Sequence, residues 1–155
     1  MNSLFKRNLI ASFIALILLF TGTAISANKI ADDPWKPEQL MEPQVLLTII
    51  SNNKGNALPV ILNIGSVNSI KGAVSTGPAS DADGIAELKK QLKNIPKDKL
   101  VIIYCGCCPL YKCPNVRPAF KLLAAEGYTN IHVLNLKTNL KTDWIDKKYP
   151  MDEDK

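Results

Sequence analysis

Leu100-Val101-Ile102-Ile103-Tyr104 is a continuous apolar run, and it stops at Cys105-Gly106. A strand without polar alternation is covered on both faces, which places it inside a parallel sheet. Val60-Ile61-Leu62-Asn63-Ile64 reads as a second buried strand, and Ile131 to Leu136 as the next strand. Helical segments alternate with them. Ile85, Leu88 and Leu92 recur at helical spacing, with Lys89, Lys90 and Lys93 on the wet face, Ser80 or Asp81 as a cap and Pro96 beyond the end. Val116 to Glu126 is a helix stopped by Gly127, with Phe120, Leu123 and Ala124 on one face. The pattern predicts a small α/β domain with a mainly parallel central sheet and helices on both faces.

The remaining segments are shorter. Pro37-Glu38-Gln39-Leu40 has the form of a first helical turn, and Val45 to Ile50 either ends that helix or forms a second one. Asn52, Asn53, Gly55 and Asn56 then break it. Gly65 to Ser69 is expected to turn, and Ile70 to Val74 to be extended, leading to Gly77-Pro78. Asn139 to Lys148, carrying Trp144, is expected to form a short helix, and the acidic tail 151–155 to fray.

The chain of 155 residues suffices for one such domain plus a leader. Lys6 and Arg7 precede an uncharged apolar stretch, Leu9 to Phe20, followed by the small residues Thr23, Ala24, Ser26 and Ala27. That order is expected of an export signal over 1–27, cleaved near Ser26 or Ala27, and the apolar core is short for a membrane span. The expected organisation is a signal peptide (1–27), a helical lead-in (28–58), the α/β domain (59–150) and the tail (151–155). Export places the mature chain outside the cytoplasm, most simply in a periplasm, with no stable membrane association after cleavage. Loss of Lys6 and Arg7 takes the net charge from +5 to +3. The remaining lysines are scattered, which argues against nucleic acid as a partner.

All four cysteines fall between Cys105 and Cys113, at 105, 107, 108 and 113. A disulfide framework spreads its cysteines to close long loops, so this cluster signals local chemistry instead. Cys105 sits where a central strand ends, the place where open α/β sheets bind ligands. The following helix starts near Asn115 and Val116, and its free N–H groups and dipole favour an anion. Arg117, in the first turn, adds a full positive charge. A thiol in such surroundings is a nucleophile at neutral pH. Cys107, Cys108 and Cys113 admit three roles: a resolving thiol, a local disulfide (Cys108 with Cys113 being better spaced than the adjacent pair) or a soft-metal site. The redox and disulfide readings are preferred over a metal, and no cofactor is called for.

Other chemistries find little support. His132 is the lone histidine and lies in a strand. No Ser-His-Asp set and no Gly-rich phosphate loop is present. Trp144 is expected in the core, with Asp143 and Asp146 on an exposed face.

From about Pro59 to Pro150 the chain resembles the rhodanese family. The likeness rests on the strand ending in Cys105, the loop to a helix with Arg117, Gly127-Tyr128, Ile131–Leu136, Trp144 and Tyr149-Pro150, and on Ile70-Lys71-Gly72-Ala73 upstream. The run Cys-Gly-Cys-Cys-Pro, then Cys-Pro-Asn and Arg-Pro-Ala, is similar to an exported, multi-cysteine branch of that family. The chain has Asn63-Ile64-Gly65 where the family usually has Asp-x-Arg, and Lys148 where it often has Gly. Eleven residues separate Cys105 from Arg117, against about six in the usual family loop. The resemblance implies a sulfurtransferase. Cys105 accepts sulfane sulfur from a small donor as a persulfide, N–H groups of Gly106, Asn115 and Val116 cradle its charge, Arg117 stands in the loop-arginine position, and a thiophilic acceptor removes the sulfur. The rival readings are a thiol–disulfide oxidoreductase using Cys105 and Cys108 with a redox protein partner, and a non-catalytic module that binds a soft metal or a partner.

Overall fold

A computed structural model describes residues 33–52 and 58–152. The expected signal peptide lies outside the described residues, as do the last three residues of the tail.

Five strands form one sheet: β1 (Leu40–Met41), β2 (Val60–Asn63), β3 (Ala73–Ser75), β4 (Val101–Tyr104) and β5 (Ile131–Leu134). Their order is β1-β5-β4-β2-β3, and every pairing is parallel. The α/β class and parallel sheet predicted from the apolar runs are the ones found. Among the described residues three α-helices accompany the sheet: α1 (Pro43–Asn52), α2 (Ala82–Leu92) and α3 (Val116–Ala125).

β4 is central and shows why its sequence carries no polar alternation. Val101, Ile103 and, one residue beyond the strand, Cys105 enter one core with Leu88 and Leu92 of α2 and Val116, Phe120 and Leu123 of α3. Ile102 and Tyr104 enter a second core with Leu46 of α1, Leu140 and Trp144. Each large side chain buried this way contributes about 1.5–3 kcal/mol. Helices therefore cover both faces, and the side-chain alternation of β4 decides that Cys105 meets α2 and α3.

Three segments differ from the sequence reading. Pro37–Gln39 is a single 3-10 turn, and Leu40-Met41 leaves it to pair with Val133-Leu134 at the sheet edge. Its helical reading fails because the apolar pair gains more from the sheet than from extending a three-residue turn. Asn139 to Lys148 narrows to a π-helical turn, Lys141–Ile145, around buried Trp144. The tail is anchored through Asp152. Met151 bridges Ile70, Asp152 donates its N–H to Ser69 O (2.9 Å), and its carboxylate accepts the Gly72 N–H (3.0 Å). Among the described residues, no helix is long and apolar enough to cross a membrane.

Candidate thiol site

The site is built at the carboxyl end of β4 from three loops. The first follows β2. Asn63, fully buried, accepts the Gly65 N–H on Oδ1 (3.1 Å) and donates Nδ2 to Val67 O (2.7 Å), which curls residues 65–67 over the sheet end. Gly65 lies against Cys105. A Cβ there would come within 2.6 Å of the Cys105 carbonyl oxygen and 2.8 Å of its sulfur. The glycine is therefore the space that the thiol occupies. Tyr104 supports the same loop: its hydroxyl accepts the Ile70 N–H (2.9 Å), and burial pushes the phenol up to about 12.

The second loop runs from Cys105 to Asn115. Gly106 has φ +77°, and a Cβ on it would strike Leu140 Cβ at 2.7 Å, so both the turn and its packing require glycine. Gly106 O accepts the Leu140 N–H (2.9 Å), and Leu110 N–H binds Leu136 O (3.0 Å), so the loop is fastened to the β5 side at two points. The 3-10 turn Leu110–Lys112 then brings Cys113 back inward.

Cys105 is 2 % exposed and Cys113 1 %, whereas Cys107 is exposed and Cys108 is partly buried. All four are free thiols. The sulfurs of Cys105, Cys107 and Cys113 all lie within 4.8 Å of one another, and Cys105 and Cys107 are 3.2 Å apart. Cys108 stands outside that group and touches the Cys107 sulfur at 3.2 Å. Spacing favoured Cys108 with Cys113 as a pair, and the sulfurs gathered into one group are those of Cys113, Cys105 and Cys107. The 3-10 turn points Cys113 at Cys105 and Cys107 instead.

Asn115, 5 % exposed, is the decisive polar contact. Its Nδ2 donates to the Cys105 sulfur at 3.0 Å, while its Oδ1 accepts the Ser80 N–H at 2.8 Å. The Ser80 contact settles which end of the carboxamide faces sulfur. The Cys105 thiol is pulled down to about 5, first by a hydrogen bond from the Cys113 thiol, and then by Asn115 and by the N–H and thiol of Cys107, against the opposing effect of burial. Cys113 moves upward because it is the donor to Cys105, and Cys107 is pushed up to about 12, first by partial desolvation of its sulfur and then by its hydrogen bonds with Cys105 and Cys108. One thiolate with two protonated neighbours is the resulting state.

The expected cradle is reassigned in part. Asn115 reaches Cys105 through its side chain, whereas the backbone N–H groups of Asn115 and Val116 act on the Cys113 sulfur. The N–H that serves Cys105 is that of Cys107, and the part of Gly106 is to make the turn. Arg117 also departs from its expected place. Its guanidinium binds Asp33 Oδ1 (2.5 Å), Tyr111 O (3.3 Å) and Cys113 O (3.4 Å), and it stacks 5.6 Å from the Trp35 ring. Being in the first turn of α3 does not aim it at the thiol. The acid that orients it lies 84 residues away. Ser80, Asn63 and Gly65 belong to the site without having been singled out for it. The Asn63-Ile64-Gly65 departure from the family pattern is the sequence signal for Asn63 and Gly65. His132 is in β5, paired with Ile102, and burial lowers its imidazole.

A cleft of about 340 Å³ adjoins Cys107, lined by Ser66, Val67, Asn68, Gly106, Asn139, Leu140, Lys141 and Ile145. It lies where ligands meet an open parallel sheet.

No protein-family model matches the chain, and no curated protein matches it. Among solved structures it is similar to EanB, in a persulfide form captured in a tetrahedral intermediate state with ergothioneine, with a TM-score of 0.52 and 19 % identity. The match covers 73 % of this chain and 27 % of the other, so this chain spans about a quarter of EanB. At that identity the likeness is one of fold alone.

Proposed function

We propose that the protein is an exported rhodanese-like sulfurtransferase that carries sulfane sulfur as a persulfide on Cys105. The observation that carries this reading is the Cys105 sulfur held by the Asn115 carboxamide and the Cys113 thiol, which keeps it a thiolate at neutral pH. With thiosulfate as donor, the thiolate attacks the outer sulfur, the S–S bond breaks, and sulfite leaves with the bonding pair. The product is Cys105–S–S⁻. An acceptor thiolate or cyanide then takes the outer sulfur and restores the Cys105 thiolate. The fold shared with EanB, solved in a persulfide form, supports the same chemistry. Substrate reaches the sulfur from the side of Cys107, the exposed thiol beside the cleft. Arg117 serves as a positioning residue for the loop through the Cys113 carbonyl. Export rests on Lys6-Arg7 and the apolar stretch Leu9 to Phe20.

The test is intact-mass and peptide mass spectrometry of the reduced protein after exposure to thiosulfate or a polysulfide. A gain of one sulfur on Cys105, absent in Cys105→Ser and present in Cys108→Ser, is the expected result. An unmodified Cys105 under conditions that label Cys107 overturns the assignment. Equal dependence on Cys105 and Cys108 favours the dithiol oxidoreductase.

A further inference from the structure

The geometry points to a second use of the same loop: Cys105, Cys107 and Cys113 form a three-thiolate site for a soft, low-coordinate cation such as copper(I). The inference is independent of sulfur transfer, since it needs only three converging sulfurs. Those sulfurs lie within 4.8 Å of one another. A trigonal ion with metal–sulfur bonds of about 2.3 Å spaces its sulfurs about 4.0 Å apart, so the Cys105–Cys107 pair, now at 3.2 Å, needs to open only slightly.

The donor set selects the ion. The group contains no imidazole and no carboxylate. Zinc requires a fourth ligand for a closed tetrahedron, and Cys108 is outside the three-sulfur group, its sulfur 3.2 Å from that of Cys107. Three thiolates and nothing harder suit copper(I). The surroundings suit it too. Two of the sulfurs are buried beside Val116 and Leu134, which shields the centre from water, and exposed Cys107 is the sulfur that an arriving ion meets first. A monovalent ion with three thiolates leaves a surplus negative charge. The Asn115 Nδ2 donor at Cys105 and the start of α3 beside Cys113 are placed to spread it.

The full chain, reduced and kept anaerobic, is titrated with copper(I) supplied as its acetonitrile complex against the chromophoric chelator bicinchoninate. One copper(I) per chain is expected to leave the chelator, and copper-edge X-ray absorption should show three sulfurs near about 2.3 Å. Cys107→Ser, at an exposed position where folding is not at issue, should weaken binding by more than about 100-fold, whereas Cys108→Ser should stay within about threefold. No withdrawal of copper(I) from the chelator overturns the proposal, and so does a Cys108→Ser loss equal to that of Cys107→Ser. A two-sulfur spectrum also overturns it. Since no sulfur donor is present, failure here leaves the persulfide test untouched, and the reverse holds as well.

Discussion

Nδ2 of Asn115 lies 3.0 Å from the Cys105 sulfur, although Asn115 is the residue that precedes α3 and Asn is a favoured capping residue. Its side chain makes no cap. It is held away from the helix N–H groups by the Ser80 N–H, and the donor it presents to sulfur is what its replacement should reveal. Asn115→Asp substitutes a carboxylate for that donor, and Asn115→Ala removes it. Both should raise the pH midpoint of Cys105 alkylation, by about one pH unit or more, with the Asp variant higher. Iodoacetamide rates against pH, read at the Cys105 peptide, check this. A midpoint unchanged in both variants removes Asn115 from the site.

The pH dependence of stability carries a sign. The folded Cys105 thiol is depressed to about 5, against about 8.5 for a free cysteine. Between those values the unfolded chain holds a proton that the folded one has released, so this group's contribution grows with pH. It is fully present above about 8.5 and is lost as pH falls through about 5. The denaturant midpoint of the reduced protein minus that of Cys105→Ser should therefore rise from pH 5 to pH 8. A flat difference contradicts a buried thiolate.

Gly65→Ala places a methyl group 2.6 Å from the Cys105 carbonyl oxygen and 2.8 Å from its sulfur. Backbone cannot yield cheaply there, so a stability loss of about 1–3 kcal/mol is expected, together with slower Cys105 alkylation at pH 7. Urea unfolding and the same peptide assay measure the two effects. Tyr104→Phe is the control: it removes the acceptor for the Ile70 N–H on the other face of β4. It should cost about 1–2 kcal/mol and leave the alkylation midpoint in place.

Arg117 separates the two accounts of its role. Its guanidinium engages Asp33 and the loop carbonyls rather than the thiol. Arg117→Lys should therefore leave the Cys105 alkylation midpoint within about 0.3 pH units while lowering stability by about 1 kcal/mol through the lost fork and ring contacts. A midpoint that climbs as far as in Asn115→Asp would restore Arg117 to the thiol.

Lys148 has φ +59°, a left-handed conformation that costs a side-chain-bearing residue roughly 1–2 kcal/mol. Lys148→Gly should raise the unfolding free energy by about 0.5–1 kcal/mol without changing sulfur chemistry. Thermal unfolding at pH 7 reads the shift, and a decrease contradicts the strain.

The parallel sheet, the strand under Cys105 and the helix after the loop were all legible in the chain. Each is a short-range pattern: apolar runs without alternation at 60–62 and 101–104, and helical spacing through Leu88 and Leu92. Cys105 stood out because strand end and loop start are adjacent in sequence. Edge strand β1 was not legible, since two residues carry no period and the partner is Val133-Leu134. The partners of each site group were also decided by packing alone. Asn115 meets Ser80 across 35 residues, and Arg117 meets Asp33 across 84. Spacing put Cys108 opposite Cys113, but the 3-10 turn at Leu110–Lys112 folds Cys113 back onto Cys105 and Cys107. Local periodicity encodes which face a residue takes, whereas which donor finds which sulfur depends on how separately folded segments close against one another.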